Sequence, residues 1–306
     1  MQAHIYPEPH VILPNPPHIH TNTLILLHGT STSGPEFAAP LLSTNFIGPS
    51  SLTPATILQF FPTCKFVFPT GSLNPTTVFN GRHTHAWFDV HSFADRTIGE
   101  DSLSFRHGLK ASLRYLAALI KAEVEILRKQ KNGGKVVIGG FSQGAAMVIT
   151  LLLSGELEMA GIGSEFGGVV GMSGWLPLRS QIDEISKDIS YDVTEEAGEK
   201  RGKAREFLRR YLELDDYGEG NSEVAIRRWP DDVSIQVPIF LGHGQADEKV
   251  RLELGLQAMR VLGALGFDVQ WEGYNGLSHW WNAEEIANIA KFLETVWSKD
   301  AGSRVA

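Results

Sequence analysis

Short apolar runs rich in β-formers alternate along this chain with stretches of helical period, and no other feature of the sequence restricts the fold as much. The runs are TLILLHG (23–29), KFVFP (65–69), KVVIGG (135–140), GGVVGMSG (167–174), VPIFLGHG (237–244) and FDVQWEGY (267–274). Most are continuously apolar, as strands covered on both faces are. Between them, residues 101–130 carry Leu109, Leu113, Leu116, Ile120 and Val124 at helical spacing, and residues 144–155 are nearly all apolar. Residues 250–266 end on a glycine suited to a helix C-terminus, and 283–297 open on acidic residues suited to an N-terminus. The alternation predicts one α/β domain over 1–306, with a mostly parallel sheet and helices on both faces.

Two stretches stand outside the pattern. Residues 1–22 hold prolines and the histidines at 4, 10, 18 and 20, with no carboxylate or thiolate cluster, and read as an N-terminal surface arm. Residues 179–236 are dense in charge, with one amphipathic stripe of Phe207, Leu208, Tyr211 and Leu212. They read as an insertion before the strand at 237–244. It is either a solvated, partly disordered excursion or a lid or interaction surface, with the 203–214 helix near a pocket mouth.

Charge and cysteine usage exclude several classes. The formal net charge is -8, so the chain lacks the basic balance of a nucleic-acid binder. No apolar stretch approaches the ~18 residues of a membrane-spanning helix, and the N-terminus lacks the pattern of a signal peptide. The one cysteine, Cys64, sits in a strand-like run and reads as a packing residue; a single thiol suits a reducing compartment. A cytoplasmic protein without metal or cofactor is expected, and nothing in the sequence decides against a homodimer.

The chemistry enters at Gly140-Phe141-Ser142-Gln143-Gly144, which matches G-x-S-x-G between a strand-like and a helix-like run. That context is the one a nucleophile elbow requires. A tight turn needs small neighbours, and it lifts the serine above a helix N-terminus whose free N–H groups favour developing negative charge. Serine needs a base and the base an orienting acid. Asp247 follows a strand, and His279 lies between the last strand and the last helix, so the order Ser, Asp, His is met at the carboxyl edge of the sheet. Glu248 is a second candidate acid. His243 is a second candidate base, although it closes a strand and suits a turn brace better. For an oxyanion hole, the backbone N–H groups of Thr30, after the strand ending in His28-Gly29, and of Gln143 are the candidates.

These residues resemble the phospholipase/carboxylesterase family of α/β-hydrolases, which includes acyl-protein thioesterases and lysophospholipases. The resemblance runs from LLHG through FPTGSLNPTTVFNGRHTHAWFDV (68–90), GGFSQGAAM, GMSGWLP (171–177) and GHGQADEKV to GLSHWW, and covers about 23 to 297 apart from the insertion. It implies an α/β-hydrolase fold with Ser142, Asp247 and His279 as the triad. It also implies Trp87, His28, Trp175 and Leu176 around the substrate, although core packing remains open for Trp87. The chain departs from the family pattern at Ser31-Thr32-Ser33, where an acidic residue is usual, in an enlarged 45–63 region, and in the insertion. The expected activity is hydrolysis of a carboxylic ester or thioester through an acyl-serine. Two rivals stand beside it: an esterase or thioesterase for a particular small metabolite, and a non-catalytic binding protein on a hydrolase scaffold.

Overall fold

The computed structural model describes residues 4–49, 51–131, 133–187, 193–214 and 235–298. The chain forms strands β1 (His10–Ile12), β2 (Asn22–Leu27), β3 (Cys64–Phe68), β4 (Ser72–Thr76), β5 (Arg82–Ala86), β6 (Val136–Phe141), β7 (Phe166–Met172), β8 (Ile239–Gly244) and β9 (Val269–Tyr274). The main sheet has the order β1-β3-β2-β6-β7-β8-β9, parallel except for β1; β4 and β5 form a separate antiparallel hairpin.

The helices are α1 (Gly34–Ser43), α2 (Ile57–Phe60), α3 (Leu103–Gln130), α4 (Gln143–Ser154), α5 (Glu156–Met159), α6 (Arg179–Ser186), α7 (Val193–Tyr211), α8 (Leu252–Ala264) and α9 (Ala283–Ser298). They cover the sheet on both faces, and the strands show why their sequence is apolar throughout. Successive residues of a strand point to opposite faces. Ile25 and Leu27 enter one core with Leu109, Leu113 and Ile120 of α3; Leu24 and Leu26 enter the other with Phe37 of α1 and Ile289 and Leu293 of α9.

The N-terminal stretch departs from a surface arm. Its β1 pairs with β3 (His10↔Phe68, Ile12↔Phe66), and Tyr6 stacks on Tyr115 at 4.0 Å. The pairing satisfies backbone groups that β3 would otherwise leave open at the sheet edge.

The described part of the insertion differs from a solvated excursion. Arg201, Arg205 and Arg209, four residues apart along α7, are all buried. Arg205 pairs with Glu158 and Arg209 with Glu156, each at 2.9 Å, and Arg201 donates to Leu265 O at 2.8 Å. Ala204, Leu208, Leu212 and Leu214 join the core on that face. High charge density pointed to solvent, but here the charges of one stripe face inward and find acids on α5. The ion pairs lie at the C-terminal end of α4, about 18 Å along that helix from Ser142. The described stretch therefore packs along α4, and Tyr211 at the end of α7 donates to Glu100 O at 2.7 Å. Residues 188–192 and 215–234 of the insertion lie outside the described residues.

Candidate active site

The run Val136–Phe141 is fully buried as β6 and delivers the chain to a turn at Ser142, where φ is +55° and ψ is -116°. A non-glycine residue pays a strain cost for positive φ. Here the turn is held by Ser142 N–H donating to Met172 O at 2.8 Å and by Ala146 N–H donating to Ser142 O at 3.1 Å. The flanking glycines are steric necessities. A Cβ on Gly140 would stand 2.3 Å from Gly144 C, and one on Gly144 would stand 2.4 Å from Leu27 O.

Two loops bring the other polar groups to this point. His279 Nε2 lies 3.0 Å from Ser142 Oγ, and His279 Nδ1 lies 2.7 Å from Asp247 Oδ2. With Asp247 ionised, Nδ1–H donates to the carboxylate and Nε2 is left to accept the serine proton. Asp247 Oδ1 takes two further bonds, from Lys249 N–H at 2.9 Å and Val250 N–H at 2.8 Å. Burial alone would raise the Asp247 pKa. Hydrogen bonds from His243, His279 and the Val250 N–H outweigh it and hold the carboxyl well below the usual range. His243 Nε2 donates to Val250 O at 2.7 Å and also faces Asp247 Oδ2 at 3.4 Å, so this buried histidine braces the turn. Glu248 is exposed.

Thr30 and Gln143 flank Ser142. Gln143 is the first residue of α4, so its N–H has no intrahelical partner. The loop carrying Thr30 is close because Gly29 has no side chain: a Cβ there would lie 3.3 Å from Ser142 Cβ. Ser31 N–H, donating to His85 O at 2.9 Å, ties that loop to β5.

The four residues implied around the substrate are all buried, none exposing more than 4% of its surface. His28 Nδ1 donates to Gly29 O at 2.6 Å, and its Nε2 accepts the Gly71 N–H at 2.9 Å. Burial pulls its pKa down to about 4, so it stays neutral and serves the backbone. Trp87 donates its indole N–H to His28 O at 2.9 Å. Trp175 packs edge-on to Phe88, and Leu176 is part of the same core.

Two features escaped the sequence reading. The Gln143 side chain is buried and clamps the Trp87–Phe88 backbone. Its Oε1 accepts the Trp87 N–H at 3.0 Å, and its Nε2 donates to Phe88 O at 2.7 Å. The aromatic setting of His279 is the second. Phe141 lies 4.8 Å from its ring, and Trp280, 47% exposed, stacks on Trp281 at 4.0 Å. The doublet after His279 in SHWWN was a visible signal; the partner of the Gln143 amide was not.

The phospholipase/carboxylesterase family profile matches residues 8–195 and 224–297. Acyl-protein thioesterase 1 of Yarrowia lipolytica is 27% identical over 277 residues, 90% of this chain and 92% of that protein. The protein of the same name in Schizosaccharomyces pombe is 31% identical over 182 residues, 58% of this chain and 68% of that protein. Among solved structures, Zea mays acyl-protein thioesterase 2 superposes with a TM-score of 0.59 at 24% identity, covering 95% of this chain and 99% of that one. Esterase PE8 gives 0.57 at 17% identity, covering 94% and 98%. Among the described residues no helix is long and apolar enough to cross a membrane.

Proposed function

The chain belongs to the phospholipase/carboxylesterase family of α/β-hydrolases and is a serine hydrolase of esters or thioesters; from that premise we propose that Ser142, His279 and Asp247 are its triad and that Thr30 and Gln143 supply the oxyanion hole. One observation carries the reading: the unbroken hydrogen-bond chain from Ser142 Oγ through the imidazole to Asp247, at 3.0 and 2.7 Å. Ser142 Oγ forms a bond to the substrate carbonyl carbon as its proton passes to His279 Nε2. The carbonyl oxygen takes the negative charge, facing the two backbone N–H groups. The imidazolium gives its proton to the departing alcohol or thiol, leaving an acyl-serine. Water then attacks that ester, giving its proton to Nε2, which returns it to Ser142 Oγ as the carboxylic acid leaves. Asp247 holds the tautomer and stabilises the imidazolium.

A fluorophosphonate probe should label Ser142 in the folded protein, and Ser142→Ala should cut turnover of a p-nitrophenyl ester by roughly 10⁶. Full activity in Ser142→Ala would overturn the assignment. It would do the same for the rest of the triad.

A narrower substrate reading rests on the burial of Trp87, Trp175 and Leu176, the residues that the family resemblance puts around the acyl group. We infer a preference for short acyl groups, as an esterase or thioesterase of a small metabolite would show. A chain-length series of esters and thioesters tests it, and faster turnover of long acyl chains would reject it. The same proposal places the enzyme in the cytoplasm without a cofactor, with a homodimer to be checked by gel filtration.

A further inference from the structure

At the carboxyl edge of the sheet, the loop formed by residues 91–102 carries no triad member yet is tied to the triad's surroundings. Its hub is Arg96. The guanidinium carbon lies 5.0 Å from the Phe93 ring centre and 4.5 Å from that of Trp175. Its Nη2 donates to Lys249 O at 2.9 Å, and Lys249 N–H donates to Asp247 Oδ1 at the same distance. Arg96 Nε is buried without a partner, and no described carboxylate forms an ion pair with the group. Burial pulls the Arg96 pKa down to about 10, and Asp247 is the charge that opposes the fall.

Arg96 as a whole is half-buried, but its Nε is shut away from solvent without a partner, which is costly, so its retention needs a physical reason. The aromatic sandwich holds a planar fork flat, which an ammonium on a flexible stem would not allow. So held, the fork joins three segments: the loop itself, the Trp175 segment after β7, and the turn after β8 that presents Asp247.

We propose that Arg96 is a positioning residue for hydrolysis, clasping the turn that presents Asp247 to the Trp175 segment. The proposal rests on the triad reading above.

The test compares wild type with Arg96→Met, Arg96→Gln and Arg96→Lys on a short p-nitrophenyl ester, with active sites counted by fluorophosphonate titration. The neutral variants should lose about tenfold in kcat per titrated site with KM within about twofold, as small misplacements in a triad do. Arg96→Lys keeps a donor for Lys249 O and should recover part of that loss. Arg96→Gln serves if Arg96→Met does not fold. Neutral variants with wild-type kcat per titrated site would overturn the proposal. So would a loss that appears only as fewer titratable sites, or an Arg96→Lys no better than the neutral variants, which is what a purely structural arginine predicts. Neither result bears on the triad, which stands or falls with Ser142→Ala.

Discussion

Glu285 should make this protein lose stability as the pH rises from about 4.5 to about 8. The side chain leaves the first turn of α9, is completely buried, and has no partner for either carboxyl oxygen. It rests on the backbone of β8, where a Cβ built on Gly242 would meet Glu285 Oε1 at 2.2 Å and Tyr274 Cε2 at 3.2 Å. Burial pushes its pKa up from 4.5 to about 8. The unfolded chain gives up this proton near the ordinary value, while the folded chain keeps it until about pH 8. The folded state therefore binds the extra proton across that window, and stability falls as pH rises through it. The gap corresponds to at most about 5 kcal/mol, against a total of about 5–15 kcal/mol for an ordinary domain. Water reaching the carboxyl would reduce the effect to a few kcal/mol. Urea unfolding of wild type and Glu285→Gln, repeated at several pH values, measures it. The Gln variant has no proton to lose, so its advantage should grow from about pH 4.5 and level off above about pH 8. Parallel stability curves for the two proteins would refute the argument and point to a hydrogen-bonded, ionised Glu285.

Other outcomes follow from the same contacts. Asp247→Asn puts an amide where three donors now converge and should lower kcat by about 10⁴ with little change in fold; a loss under tenfold would count against its role. Arg209→Met leaves Glu156 buried without its cation and should destabilise the fold by about 3–5 kcal/mol. Folded Arg209→Met should keep its acyl preference, whereas an altered preference would favour the lid reading of α7. Gln143→Ala removes both bonds to the Trp87–Phe88 backbone and should cost about 1–3 kcal/mol, read by thermal unfolding; an unchanged melting point would show that the clamp is idle.

The sequence by itself determined the layers and the chemistry. Continuous apolar runs such as Val136–Phe141 demand cover on both faces, and helical stretches between them supply it, so the parallel sheet was legible. Gly140 and Gly144 were legible too, because a turn that leaves no room for a Cβ restricts residue type locally. The order of Ser142, Asp247 and His279 followed from loops at strand ends. Tertiary structure alone decided what depends on which way a side chain faces. The charges of 179–236 looked solvated, but Arg205 and Arg209 turn inward to acids about 50 residues earlier in the chain. Prolines suggested a loose arm at the N-terminus, yet β1 closes the sheet edge. His28, Trp87, Trp175 and Leu176 stood in suitable motifs for substrate contact, and their burial could not be read from those motifs. Arg96, Glu285 and the Gln143 amide owe their environments to partners distant in sequence, and no local pattern announces such a partner. Periodicity and turn sterics are written over a few neighbouring residues; burial and charge pairing arise only when remote segments meet.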